Sequence, residues 1–229
     1  RVERGQTLAI IGATGSGKTT LAGLIPRFYD ATQGTVLVDG VDVRDYTFDA
    51  LYDRLGYVTQ KAVLFSGTVQ DNIFFGQSEA ADTDETLQQA LQLSQAAEFV
   101  DRYPEKAAHP IAQLGRNVSG GQKQRLSIAR ALARRPEILI FDDSFSALDY
   151  KTDATLREGL AKQLPGTTKI IVAQRISTIR HADQILVLDR GEIAGLGTHD
   201  ALMASCPVYR EIAMSQLSEE ELKKGGASK

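Results

Sequence analysis

The sequence predicts an α/β fold with a mainly parallel central sheet and an inserted helical subdomain. Short, continuous apolar runs separated by helix-like segments are typical of parallel strands that are buried on both faces. Four such runs are predicted as strands: Leu8–Ile11, Ile138–Phe141, Ile170–Ala173 and Ile185–Leu188. Two weaker strand patterns are Thr35–Val38 and Leu55–Thr59. The middle of the chain lacks such runs, which indicates a separate helical part.

That helical subdomain is predicted over Thr68–Pro136. Its sequence from Asp82 to Tyr103 is polar with helical spacing and shows no strand pattern. A further helix is predicted to begin after Gly120-Gly121 and to stop at Pro136, because proline cannot continue a helix.

Composition excludes several classes of protein. The chain has 229 residues, 42% of them hydrophobic, which is enough for a sizeable core. Its formal charge of −3 gives no support for a nucleic-acid partner, and none is expected. Cys206 is the single cysteine, so an intrachain disulfide is impossible. The sequence contains no apolar stretch of 18 residues, so we expect no segment of it to span a membrane.

The most informative motif follows the first predicted strand. Residues 12–19 read GATGSGKT, the Walker A pattern, and a helix is predicted directly after it over Thr19–Arg27. Glycines let backbone N–H groups curl around a phosphate, and the helix dipole favours the same anion. Lys18 is expected to neutralise phosphate charge, and the Thr19 hydroxyl suits Mg²⁺. The sequence therefore predicts binding of a nucleoside triphosphate by Gly12, Ala13, Thr14, Gly15, Ser16, Gly17, Lys18, Thr19 and Thr20.

Three further motifs follow in a fixed order. Ser119-Gly120-Gly121-Gln122 opens a helix rich in small residues, which is a second candidate anion-binding helix start. The apolar run 138–141 then ends in Asp142 and Asp143, and a carboxylate in that place holds the Mg²⁺ of a P-loop site. The sequence Ser146-Ala147-Leu148-Asp149 completes the set.

This ordered set resembles the nucleotide-binding domain of an ATP-binding cassette (ABC) exporter. The resemblance covers Arg1 to about Leu217 and implies a P-loop NTPase core, ATP and Mg²⁺ as cofactors, and one cassette domain over residues 1–217. It implies a RecA-like core at 1–67 and 137–217 with the helical subdomain at 68–136. Residues 218–229 are charged and then rich in Gly, Ala and Ser, and we expect them to form a disordered tail.

The resemblance also implies roles for single residues. Gln60 matches the Q-loop glutamine, which touches Mg²⁺ and the attacking water, and Asp142 and Thr19 are the other expected metal ligands. Asp143 and Gln174 occupy the catalytic positions of the family. The family pairs two cassettes head to tail, so that each signature motif faces the partner's ATP. Here the signature is Ser119, Gly120, Gly121 and Gln122, and the D-loop along the dimer interface is Ser146, Ala147, Leu148 and Asp149.

Two departures from the family pattern concern catalysis. Hydrolysing cassettes have Glu after the Walker B aspartate, whereas this chain has Asp143, whose side chain is one methylene shorter. The switch histidine is replaced by Gln174, which cannot take up or release a proton at neutral pH. Adjacent residues at a strand end point in opposite directions, so Asp142 is expected to face the metal and Asp143 the γ-phosphate. We therefore expect a weakly hydrolysing site that is paired with a non-identical, competent cassette.

Other features favour an exporter. The stretch 64–73, LFSGTVQDNI, resembles the part of exporter cassettes that faces the membrane domain, although an ordinary amphipathic helix is the alternative. A further departure from the exporter pattern is the X-loop, where an acidic residue is common and this chain has Ala112 and Gln113. In this family the adenine-stacking aromatic residue lies upstream of Arg1. We expect a transmembrane domain fused upstream as well, which would place the cassette on the cytoplasmic face of the cell membrane.

Four alternatives remain at this point. One is a fully hydrolysing homodimeric exporter cassette, and another is an importer cassette, which the 64–73 stretch disfavours. A chromosome-maintenance or DNA-repair ATPase would separate Lys18 from Ser119 by long coiled coils, and no heptads occur there. A translation-factor cassette would have two cassettes in one chain and a basic linker, which the sequence lacks.

Overall fold

A computed structural model describes residues 1–76 and 83–216. In these ranges the strands are β1 (Thr7–Gly12), β2 (Leu37–Val38), β3 (Val41–Asp42), β4 (Leu55–Val58), β5 (Gly67–Thr68), β6 (Pro110–Ile111), β7 (Ile138–Asp142), β8 (Thr168–Val172), β9 (Gln184–Asp189) and β10 (Glu192–Gly197). The α-helices are α1 (Lys18–Gly23), α2 (Phe48–Tyr52), α3 (Val69–Ile73), α4 (Asp84–Leu93), α5 (Ala97–Val100), α6 (Gly120–Ala133), α7 (Tyr150–Gln163), α8 (Ile176–Ile179), α9 (His199–Ser205) and α10 (Pro207–Gln216). The predicted α/β class with a mainly parallel sheet is confirmed.

The chain divides into two compact units. Among the described residues, the first unit comprises Arg1–Leu51 and residues 168–216, and the second comprises residues 52–76 and 83–167. The predicted domains, with a helical subdomain at 68–136, have different boundaries and stay a prediction. The predicted tail 218–229 and Leu217, the predicted end of the cassette, lie outside the described residues.

The first unit is built on four strands in the order β10-β9-β1-β8. β1 lies between β8 and β9 and is parallel to both, whereas β10 is antiparallel to β9. Ile10, Ile11 and Ile185 are almost completely buried, as expected for strands covered on both faces. Helix α1 packs against β1 and β8, and α10 packs against β9. This arrangement places the residues that follow β1 at the carboxyl end of a buried parallel strand.

Helix α1 is shorter than predicted. The sequence predicted a helix to Arg27, but α1 ends at Gly23. Gly23 is a poor helix former, and Pro26 disfavours the helical conformation of the residue before it. Arg27 then adopts a left-handed backbone, with φ +59°. The chain therefore leaves the helix after six residues.

A hairpin replaces the strand predicted at Thr35–Val38. Only Leu37–Val38 is extended, and it pairs antiparallel with Val41–Asp42. The two residues between these strands, Asp39 and Gly40, both have positive φ, which is the geometry of a tight hairpin turn. The Asp39-Gly40 dipeptide is a sequence signal for such a hairpin, and the strand prediction did not take it into account.

The second unit combines one parallel strand pair with helices. β4 and β7 are parallel, with Leu55 opposite Ile138 and Tyr57 opposite Ile140. Helix α6 packs against α3, α4 and β4. It ends at Ala133 rather than at the predicted Pro136, because Arg135 has a left-handed backbone just before the proline.

Within residues 1–76 and 83–216, no helix is both long and apolar enough to cross a membrane.

Candidate nucleotide-binding and catalytic residues

The Walker A loop of the first unit connects β1 to α1. Gly12 ends β1, and a Cβ placed there would lie 2.1 Å from the Leu188 carbonyl oxygen, so no side chain fits. Gly17 precedes α1 with φ +96°, a left-handed conformation that favours glycine. No side chain caps the first turn of α1. An uncapped helix start of this kind suits an external anion, and the phosphate contacts of the loop stay a prediction.

Lys18 is buried within this loop. Its Nζ donates to the carbonyl oxygens of Gly12 and Ala13, both at 2.8 Å, and lies 3.5 Å from Ser16 Oγ. Ser16 is also buried, whereas Thr19 is exposed on the first turn of α1. The remaining predicted contacts, Ala13, Thr14, Gly15 and Thr20, are exposed. The ammonium group thus lies against the loop's own backbone.

In the second unit, the strand β7 ends at the predicted carboxylates. Asp142 and Asp143 are both buried, at 4% and 7% exposure. Asp142 Oδ2 accepts a hydrogen bond from the Tyr57 hydroxyl at 3.0 Å, and Asp143 Oδ2 accepts one from Gln60 Nε2 at 2.9 Å. Each buried carboxylate thus has a neutral donor supplied by β4 or by the segment after it, as a buried charge requires.

The opposite directions of Asp142 and Asp143 were predicted from strand alternation, but the strand ends at Asp142. What each carboxylate faces stays a prediction. Asp143 is not extended; it follows β7 with a left-handed backbone, φ +49°. Ser146 stabilises this turn, because its hydroxyl donates to the Asp143 carbonyl oxygen at 2.7 Å. A turn, rather than the strand pleat, therefore sets the direction of the Asp143 carboxylate.

The signature residues open α6 in the second unit. Ser119 is its N-cap: Ser119 Oγ accepts from the Gln122 N–H at 3.3 Å, and Gln122 Oε1 accepts from the Ser119 N–H at 2.8 Å. This is a capping box. Ser119 and Gly120 are exposed, and Gly121 lies near the Ala147 carbonyl oxygen of the D-loop. The signature start is thus preorganised and accessible.

The D-loop leads into α7. Ser146 and Ala147 are exposed, and Leu148 is buried. Asp149 caps α7, accepting hydrogen bonds from the Thr152 N–H at 2.9 Å and from the Thr152 hydroxyl at 2.7 Å. These donors, the hydroxyl first, hold the pKa of the Asp149 carboxyl below its ordinary value. Asp149 therefore has a structural role that the motif alone does not reveal.

Gln174 lies in the first unit, between β8 and α8. Its backbone carbonyl accepts a hydrogen bond from Gln216 Nε2 at 2.7 Å, and Gln216 Oε1 accepts from the Ile176 N–H at 2.9 Å. The end of α10 thus holds the backbone around the switch position.

Some residues near these motifs were missed by sequence reasoning. Gln124, 1% exposed, donates from Nε2 to the Thr59 carbonyl oxygen at 3.2 Å and so links α6 to the Q-loop. The Ser144 hydroxyl is fully buried and has no hydrogen-bond partner among the described residues. Tyr57 on β4 donates from its hydroxyl to Asp142. No sequence signal indicates these three roles, because each depends on a partner or on burial decided by the fold.

The described residues fit ATP and Mg²⁺ better than they fit a protein-caged metal. No group of three His, Cys, Asp or Glu side chains that could hold a metal ion occurs in residues 1–76 and 83–216. Mg²⁺ is ordinarily bound by one or two protein oxygens together with substrate phosphates and water. The Asp142 carboxylate and the Thr19 hydroxyl, each taken within its own unit, are oxygen donors of that chemical kind.

A glycine-rich loop after a buried strand and a strand that ends in carboxylates define a P-loop protein that binds nucleoside triphosphates. Comparison with known families makes this more specific. The family model described as "ABC transporter" matches residues 1–146, and this chain belongs to that family.

Individual relatives agree with this assignment. An uncharacterized ABC transporter ATP-binding protein of Mycobacterium tuberculosis is 49% identical over 213 residues, which are 93% of this chain and 36% of that protein. An ATP-dependent lipid A-core flippase of Albidiferax ferrireducens is 41% identical over 216 residues, 94% of this chain and 37% of that protein. The chain thus spans about a third of the length of these relatives.

A solved structure agrees as well. The ATP-bound structure of a bacterial Atm1-family ABC exporter matches with a TM-score of 0.89 and 38% identity, over 94% of this chain and 38% of that chain. The resemblance to exporter cassettes that the motifs indicated is confirmed.

Proposed function

We propose that this chain is the ATP-binding cassette of a membrane exporter, and that its own site holds MgATP but hydrolyses it slowly. The Walker A residues 12–20 would bind the triphosphate, and Asp142, Thr19 and Gln60 would hold Mg²⁺. When bound, Mg²⁺ would neutralise phosphate charge and orient the terminal phosphate. Lys18 would exchange its hydrogen bonds to Gly12 and Ala13 for phosphate oxygens.

The main support for slow hydrolysis is that Asp143 has a short side chain that is restrained by its neighbours. Its side chain is one methylene shorter than the Glu of hydrolysing cassettes, and its backbone is restrained by the Ser146 hydroxyl. Its carboxylate also accepts a hydrogen bond from Gln60. These restraints oppose the movement that would bring a short carboxylate to a water placed for Glu.

Gln174 removes a second catalytic group, because its amide neither takes up nor releases a proton near neutral pH. A positioned acid or base typically contributes a factor of about 10²–10⁴ in rate. Weakening two such groups leaves the binding elements intact and removes most of the chemical acceleration. ATP binding and ATP hydrolysis should therefore separate in this chain.

The signature favours a partner cassette. Ser119 and Gly120 are exposed at the start of a well-capped helix, and Ser146 and Ala147 of the D-loop are exposed as well. We propose that these surfaces complete the ATP site of a second, non-identical cassette that has Glu and His at the catalytic positions. The asymmetric pair would hold one ATP here and hydrolyse the other.

A membrane domain is the other proposed partner. One relative is an ATP-dependent lipid A-core flippase, and the chain covers about a third of the length of that relative and of the mycobacterial one. Exposed Phe65 and Phe75 stack with ring centroids 4.2 Å apart, and the Arg130 guanidinium lies over both rings. This surface, to which the exporter-like stretch 64–73 contributes Phe65, would contact a transmembrane domain fused upstream. The cassette would then lie on the cytoplasmic face of the membrane.

The test restores the two catalytic groups. The double variant Asp143→Glu, Gln174→His is compared with the unchanged protein for phosphate release and, separately, for ATP affinity. We expect turnover to rise at least tenfold with ATP affinity changed less than about threefold, since only the chemical groups differ. The matched control is Asp49→Glu with Gln33→His, a lengthened carboxylate and a new imidazole at two exposed positions of the first unit that lie outside the motifs.

Rapid phosphate release by the unchanged protein alone would favour the fully hydrolysing homodimeric cassette instead. Absence of ATP binding would refute the nucleotide-binding role itself.

A further inference from the structure

A tyrosine on β4 contacts the carboxylate proposed to hold Mg²⁺. Tyr57 lies opposite Ile140 in the parallel β4–β7 pair, so Asp142 is its diagonal neighbour two residues further along β7. Side chains two residues apart on a strand lie on the same face, and an aromatic side chain reaches a diagonal neighbour. The Tyr57 hydroxyl donates to Asp142 Oδ2 at 3.0 Å.

The surroundings restrain this contact. The flanking β4 and β7 residues Val58 and Phe141 are completely buried, and Asp142 is 4% exposed. Tyr57 itself is half-buried. Both residues therefore lie on a buried pair of strands. The hydrogen bond from Tyr57 restrains the rotation of the Asp142 carboxylate.

Asp143 provides a contrast within the same unit. Its donor is Gln60, an exposed residue beyond the end of β4, and Asp143 has left the strand in a turn. The Asp142 donor is on the regular part of the strand, opposite a residue of β7. Of the two carboxylates, Asp142 is the one held by paired secondary structure.

We propose that Tyr57 is a positioning residue that orients Asp142 for Mg²⁺ and disfavours Ca²⁺. The inference rests on the proposed nucleotide-binding function and names a specificity device within that site. With Oδ2 engaged by the hydroxyl, chelation of one cation by both oxygens of Asp142 is disfavoured. Mg²⁺ needs strict octahedral geometry and few carboxylate oxygens, whereas Ca²⁺ accepts bidentate carboxylates and looser geometry.

The experiment measures metal-dependent nucleotide binding rather than turnover. The variant Tyr57→Phe removes the hydroxyl and keeps the ring. A fluorescent ATP analogue is titrated at fixed pH without metal, with MgCl₂ and with CaCl₂. We expect the half-saturating Mg²⁺ concentration to rise about tenfold, as is typical when a partner of a metal ligand is lost. The Ca²⁺ value should change less than about threefold, and metal-free binding should stay the same.

The matched control is Tyr46→Phe. Tyr46 is also half-buried, and its hydroxyl donates to a backbone carbonyl, that of Val38, at 3.1 Å. This variant should leave all three titrations unchanged. A second arm repeats Tyr57→Phe in an Asp142→Asn background, where the effect on Mg²⁺ should largely disappear if the hydroxyl acts through Asp142.

The outcomes separate the two proposals. Equal changes for Mg²⁺ and Ca²⁺, weaker metal-free binding, or an undiminished effect in the Asp142→Asn background would each overturn the role of Tyr57. In those cases the unchanged protein still binds the ATP analogue, so the proposed function stands. If the unchanged protein fails to bind the analogue under every condition, the proposed function fails and the role of Tyr57 fails with it.

Discussion

Helices α1 and α6 both begin at glycine-rich motifs that the sequence identified as anion-binding starts, yet they begin differently. α1 follows Gly17 in a left-handed conformation and has no side-chain cap. α6 begins with the Ser119–Gln122 capping box, in which the Ser119 and Gln122 N–H groups each donate to the other residue's side chain. A helix start without a cap leaves its donors for a ligand, whereas a capped start is stable without one.

The difference indicates that the two helix starts have different roles in nucleotide binding. The α1 loop supplies backbone donors and the Lys18 charge, so it should bind a triphosphate with the groups of its own unit. The α6 start supplies an exposed, rigid hydroxyl and glycine surface, so it should contribute only to a nucleotide that is already held elsewhere. Three sets of variants test this contrast.

Removing the charge in the α1 loop should have the largest effect. In Lys18→Ala, ATP affinity should fall about a hundredfold, because a charge-assisted hydrogen bond contributes about 1.5–3 kcal/mol and 1.4 kcal/mol is a factor of ten. Isothermal titration with MgATP measures the change. The control is Lys162→Ala, which removes an exposed lysine paired with Glu158. A loss below threefold at Lys18 would contradict the proposed role of the loop.

The two glycines that begin these helices should respond in opposite directions. In Gly17→Ala, the free energy of unfolding should fall by about 1–2 kcal/mol, because φ +96° is unfavourable for alanine. In Gly120→Ala, it should rise by about 0.5 kcal/mol, because Gly120 is helical and an added Cβ meets nothing within 4 Å. Urea unfolding of both variants measures the pair. Equal shifts would mean that the backbone conformations do not differ as described.

Removing the cap of α6 should have the smallest effect on ATP affinity. It should still lower the free energy of unfolding measurably. In Ser119→Ala, the free energy of unfolding should fall by about 1 kcal/mol through loss of the N-cap, and Ser119→Asp should recover most of it. ATP affinity of the chain alone should not change. A large loss of ATP affinity in Ser119→Ala would show that the signature start binds the nucleotide of its own chain. It would contradict the different roles of the two helix starts.

Continuous patterns were predicted best. β1, β7 and β9 coincide with the predicted apolar runs to within one residue at each end, because strands covered on both faces read as unbroken hydrophobic sequence. β10, Glu192–Gly197, was missed because it is an edge strand with exposed Ile193 and Leu196 and two glycines, and so lacks both apolar continuity and alternation. Helix ends were also less predictable, since they depend on single left-handed residues such as Arg27 and Arg135.

By itself, the sequence determined the parts of this protein that are local: the phosphate-binding loop 12–20, the carboxylates after β7 and the signature start of α6. Each lies within a few consecutive residues, so spacing and residue type are sufficient to identify it. Tertiary structure alone decided that the Tyr57 hydroxyl meets Asp142 and that the Gln60 amide meets Asp143, across 85 and 83 residues of chain. Such contacts form when distant strands align in register, and sequence spacing carries no record of that alignment.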